Sequence, residues 1–174
     1  MTLWKTIGSL IRIFLPNPRD LPREALTPRG SDMEFEDSVR RQLAFLFDRY
    51  EASIISNQYF PRAYGNAILI IETQMLRLRV VRDRDEVRLD VAPLQNPTEW
   101  VDCAFALAAI ETGSGDSQFS LDRAITSIAR HLAPKFEALQ DAYTPNQYPA
   151  TRQRIIQIYE AERQKAVERL NAIH

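Results

Sequence analysis

Between Met75 and Pro93 the chain reads MLRLRVVRDRDEVRLDVAP, and this stretch limits the architecture more than any other. Leu76, Leu78 and Val80 alternate with Arg77 and Arg79. Beyond a charged tip, Val87, Leu89 and Val91 alternate with Arg88 and Asp90. A period of two is that of a half-buried strand, and two such runs around a short polar turn make an antiparallel hairpin. A one-residue slip in pairing would expose one of the two apolar sets, so both sets share a face. The simplest register pairs Val80 with Val87, Leu78 with Leu89 and Leu76 with Val91 around an Asp83-Arg84 tip. The opposite face then pairs Arg79 with Arg88 and Arg77 with Asp90, with Val81 near Glu86. Arg77, Arg79 and Arg88 thus fall on one strip, with Arg84 at its end and Asp90 and Glu86 diluting its charge. The strip reads first as a solvated sheet face with cross-strand ion pairs, and after that as a surface for a protein partner or for nucleic acid.

The flanking segments extend the hairpin into a mixed fold. AILIIE, residues 67–72, is apolar at every position but the last and predicts a strand covered on both faces, a central strand of the sheet. ASIISNQYF before it predicts a further strand at the edge, with PRAYGN as the connecting loop. Residues 33–51 predict a helix with Asp32 as N-cap, acidic residues in its first turns and an apolar face of Phe35, Val39, Leu43, Leu46, Phe47 and Tyr50. After PLQNPTE a helix is expected over 98–111, capped by Thr98 and carrying Trp100 inward. Two more helical stretches follow, one from Ser120 that Pro134 kinks and a charged one from Thr151 to the end. The expected fold is α+β, with an antiparallel meander of three to four strands packed on a helix and a helical C-terminal half from about residue 119. Trp100, Leu78, Leu89, Leu43 and Phe47 are expected in the core.

The N-terminus reads differently. MTLWKTIGSLIRIFLP places Leu3, Trp4, Ile7, Leu10, Ile11 and Phe14 at helical spacing. Arg12 interrupts the apolar run, no small-residue cleavage site follows, and about 20 residues are needed to cross a bilayer. It is therefore read as an amphipathic helix rather than a signal peptide or a membrane span. PNPRDLPREALTPRGSD tethers it as a Pro-rich linker, so residues 1–32 form an arm and 33–174 a single domain. Trp4, Ile7, Ile11 and Phe14 would meet the domain's own core, a partner or second copy, or a membrane surface, the last only weakly attracted by Lys5 and Arg12.

Composition narrows the chemistry. Twenty-two basic against 23 acidic residues give a net charge of −1, so no global field draws the chain to nucleic acid. A lone cysteine, Cys103, offers neither a disulfide nor a CxxC pair and fits a reducing, cytoplasmic setting. The two histidines, His131 and the terminal His174, stand without a nucleophile motif, and DRDE at 83–86 has an arginine inside its acidic group. Five glycines supply no phosphate-cradling loop. The chain is expected to be no enzyme and to need no cofactor or metal.

The segments FEDSVRRQLAFLFDRY, YGNAILIIE, LRLRVVRDRDEVRLDVAP, NPTEWVD and YTPNQYPATRQRIIQIYEAER together resemble a group of small uncharacterised bacterial α+β proteins. The resemblance covers roughly residues 33–165. In general build such proteins are like immunity proteins of toxin systems, an analogy of class only. The thin catalytic inventory and the locally charged sheet face point to a non-enzymatic protein-binding protein, and the analogy makes it immunity-like or an accessory subunit of a bacterial toxin or anti-phage defence system. Its partner would be a toxin, an effector or a complex subunit, met through Trp4, Ile7, Ile11, Phe14, Arg77, Arg79, Arg84 and Arg88. Two alternatives stand beside it. One is a nucleic-acid-binding accessory protein using the arginine hairpin 77–88. The other is a structural subunit, or a homo-oligomer, docked through the N-terminal helix.

Overall fold

A computed structural model describes residues 30–60, 65–84, 86–111 and 124–171, so the expected N-terminal helix with Trp4, Ile7, Ile11 and Phe14 lies outside the described residues. Two helices come first, α1 (Gly30–Gln42) and α2 (Ala44–Arg49). Strands β1 (Ser53–Phe60), β2 (Asn66–Glu72), β3 (Leu76–Asp83), β4 (Glu86–Pro93) and β5 (Val101–Asp102) follow. The C-terminal half holds α3 (Cys103–Ile110), α4 (Ile125–Leu132), a 3-10 turn at Ala133–Lys135, α5 (Phe136–Ala142) and α6 (Tyr148–Asn171). The fold is α+β. Among the described residues five strands form one sheet in chain order, every pair antiparallel.

The inner face of the sheet carries the core. Leu69, Ile71, Leu76, Leu78, Val80, Leu89 and Val91 are all buried, as the alternation along the hairpin requires. Phe35, Val39, Leu43 and Leu46 cover this face from α1 and α2, and Leu107, Ile128, Leu132, Phe136, Leu139 and Tyr143 close it from the C-terminal half. Phe45, Tyr50 and Phe136 lock the two helical groups together edge to face, with ring centroids 4.7 to 6.3 Å apart.

Several boundaries differ from the sequence-based expectation. The first helix begins at Gly30, so Asp32 lies inside it rather than capping it, and it breaks at Leu43 before restarting. After α2, Glu51 takes a left-handed φ of 51°, and the Tyr50 and Ala52 N–H groups both return to the Leu46 carbonyl, a helix-ending bond pattern usually built on glycine. The expected helix over 98–111 is shorter. Val101 and Asp102 pair with β4 as a fifth strand, and the N-cap is Asp102, whose Oδ1 accepts the Ala104 N–H at 2.8 Å, rather than Thr98. Trp100 therefore precedes the helix and is only part-buried, as is Phe47, so neither joins the inner core. The last helix starts at Tyr148, and Pro134 does interrupt its predecessor with a 3-10 turn.

The hairpin register keeps the expected parity and moves by two residues. Leu78 pairs with Val91, Val80 with Leu89 and Asp83 with Glu86, which puts Arg84 in the tip. Arg84 adopts φ 58°, the left-handed conformation that a two-residue turn demands of its first residue. Its N–H donates to Asn66 Oδ1 at 3.0 Å, which pins the tip to the start of β2. The shift also sets Arg79 opposite Asp90 instead of Arg88, replacing a like-charge pair with an attractive one. Gly65, at φ 77°, turns the chain into β2 and offers its carbonyl to Arg82 Nε and Nη2 at 3.2 and 2.8 Å. The YGN triplet is thereby accounted for at two of its positions, Gly65 and Asn66.

Candidate protein-binding face

Antiparallel pairing puts the other side chains of the sheet into cross-strand rows on its outer face. One row runs Ser56, Ile70, Arg79, Asp90, Asp102 from β1 to β5. Beside it run Gln58, Ile68, Val81, Arg88 on one side and Glu72, Arg77, Ala92 on the other. Ile68 and Ile70 are part-buried and Val81 is 8% exposed, so an apolar strip crosses the middle of this face. This is the second apolar face of β2, legible in AILIIE, although β2 lies next to the edge strand rather than at the centre of the sheet.

The arginines of the expected strip are largely committed within the chain. Arg77 Nη2 meets Glu72 Oε2 at 2.6 Å across β3 and β2. Arg79 donates from Nε and Nη2 to Asp90 Oδ2 at 2.9 and 2.7 Å, and Arg88 Nε lies 3.4 Å from the other oxygen, Oδ1. Asp90 is 5% exposed, a carboxylate taken out of water and held by two cations. The flat guanidinium of Arg79 sits over the Trp100 ring, 4.6 Å from its centre, a stacking that lysine would not reproduce. Asp102 stands next to Asp90 across β4 and β5. Burial pushes its carboxyl above the ordinary aspartate value against the lowering effect of the Ala104 N–H; Asp90 raises it further and Arg88 lowers it.

The structure therefore brings Arg77, Arg79 and Arg88 onto one face as expected and gives each a carboxylate. It takes the other hairpin arginines elsewhere. Arg84 is at the exposed tip, and Arg82 turns to the opposite face, over the rings of Phe35 and Tyr59 at 4.6 and 5.9 Å. Trp100, Glu72 and the isoleucines of β2 complete the face and were absent from the sequence-derived set. Trp100 could be placed only once β5 was known, because a two-residue strand leaves almost no periodic signal.

Other features hold less chemistry. No group of three or more His, Cys, Asp or Glu that could hold a metal occurs among the described residues. Cys103 is fully buried, and desolvation drives its thiol far above the ordinary cysteine value. His131 is exposed near the end of α4. An open groove of about 470 Å³ between α3, α5 and α6 is lined by residues including Ile110, Asp141, Thr151 and Arg154. Thr151 Oγ1 is spent there on the carbonyls of Ala142 and Gln147. No helix among the described residues is long and apolar enough to cross a membrane.

Comparison with known proteins returns no counterpart: no family model matches the chain, and no curated protein or solved structure matches it at the significance required.

Proposed function

We propose that the protein is a non-enzymatic binding protein whose outer sheet face receives another protein. One observation carries the reading. The centre of that face is apolar, at Ile68, Ile70 and Val81, and is bordered by Trp100 stacked on Arg79. A part-buried tryptophan and arginine beside aliphatic side chains is the composition of a protein–protein hot spot. The charges around it are already paired, so they would orient a partner more than pull it in.

The same pairing argues against nucleic acid. Phosphate binding uses cations that are free to displace the counterions condensed on the nucleic acid. Arg77 and Arg79 are held by Glu72 and Asp90, and Arg88 lies 3.4 Å from Asp90 and acts electrostatically on Asp102 as well. Within the class of protein-binding proteins, an immunity-like protein or accessory subunit of a toxin or defence system remains the specific expectation, supported by the resemblance alone.

The test is to co-express the full chain with the products of adjoining genes and measure binding by calorimetry. Ile70→Asp and Trp100→Ala should each weaken the complex at least tenfold while circular dichroism stays unchanged. Unchanged affinity in both would place the partner elsewhere. A shift of short duplex DNA, with affinity falling steeply in log salt, would favour the nucleic-acid reading.

A further inference from the structure

The two edges of the sheet are unequal. At one, β5 contributes two residues and leads directly into α3. At the other, β1 is eight residues long, and among the described residues no strand pairs with its outer side. A strand in that position presents a row of backbone N–H and C=O groups that can add another strand. Proteins usually blunt such an edge with charge, proline or a bulge. SIISNQYF has no charged residue and no proline. Its single irregularity, between Ile54 and Ser56, leaves Ser56–Phe60 as a regular stretch and Ile55 45% exposed. Nothing in that stretch repels an identical one.

We propose that the outer edge of β1 pairs with the same edge of a second copy of the chain. Symmetry then fixes the geometry. A closed twofold contact between identical edge strands, with the axis normal to the sheet, makes the strands antiparallel. It also keeps the outer faces of both copies on one side and their helices on the other. The result is a continuous sheet of twice five strands. Uncharged Ser56, Asn57 and Gln58 then meet uncharged residues across the axis, whichever register is taken. The two β3 strands lie five strand spacings apart, about 24 Å, so both apolar strips face the same way. The pairing stands independently of what binds those strips.

Sedimentation and light scattering on the full chain test the pairing. The expected particle has twice the 20.1 kDa mass of one chain. Ser56 and Gln58 lie on the outer face, so charging them leaves the core untouched. The double variants Ser56→Lys/Gln58→Lys and Ser56→Glu/Gln58→Glu should each be monomers, because like charges cluster about the axis. An equimolar mixture of the two should recover the dimer, which also shows that each is folded. A wild-type chain that stays monomeric at every accessible concentration overturns the proposal. So does a dimer that persists in either charged variant, and so do monomers that fail to recombine.

Discussion

Arg79 and Asp90 face each other across β3 and β4, and the arginine places both Nε and Nη2 on one carboxylate oxygen, 2.9 and 2.7 Å away. The arginine side chain is 15% exposed and the aspartate 7%. This pair lies far enough from water that removing Arg79 leaves the buried Asp90 carboxylate only the longer, half-exposed contact with Arg88, unlike the wet ion pairs expected of such a strip.

Arg79→Ala should therefore cost about 3 kcal/mol in urea denaturation, the scale of a buried pair broken from one side. Arg77→Ala, whose partner Glu72 is a third exposed, should cost no more than about 1 kcal/mol. Equal losses at the two positions would mean that Asp90 is as well solvated as Glu72.

Leu43 tests the inner packing. It is fully buried at the break between α1 and α2 and belongs to the cluster that joins both helices to the sheet. Leu43→Ala should cost about 2–5 kcal/mol in the same assay. A loss under about 0.5 kcal/mol would mean the cavity collapses without consequence.

Asp102 should leave a signature in pH. Its carboxyl is raised in the folded chain from 3.8, so the folded state favours the protonated form. The resulting stabilisation is complete below about pH 3.8 and is lost as pH rises through the folded value. Asp102→Asn keeps an oxygen for the Ala104 N–H and removes the charge beside Asp90. At pH 7 it should be at least as stable as the parent, and its advantage should shrink toward pH 4. An Asn variant less stable at pH 7 would show that attraction to Arg88 outweighs burial.

Glu51 is a place where one substitution should help. A glutamate in left-handed backbone costs roughly 1–2 kcal/mol that glycine avoids, and its weak contact with Gln74, at 3.3 Å, is exposed. Glu51→Gly should raise the urea midpoint, with a gain of about 0.5–1 kcal/mol after the entropy lost by glycine on folding. A lowered midpoint would mean that the side chain anchors the α2–β1 connection.

The sheet was legible where periodicity was long. Eight-residue strands such as β3 and β4 announce their buried face, and the parity argument placed Arg77, Arg79 and Arg88 together. Parity cannot fix register, because a shift of two residues leaves every side chain on its own face; Asn66 and the left-handed Arg84 settle it. Trp100 looked like core because the helix expected over 98–111 would have carried it on its inward face. Arg79 drew it outward by offering a flat cation for its ring. A contact between residues 21 positions apart leaves no mark in local spacing.

The chain-order sheet also bears on how the molecule reaches its fold. Every strand hydrogen-bonds to its neighbour in sequence, so no long loop has to close before pairing begins. The β3–β4 hairpin, with the shortest connection, is the natural nucleus, and hairpins of this kind form in about 1–10 μs. β2 can then zip onto β3 through the Asn66 contact, and β1 can add last. Substitutions at the Arg84 tip would slow folding, whereas those along α6, which packs on α3 after the sheet exists, would mainly hasten unfolding.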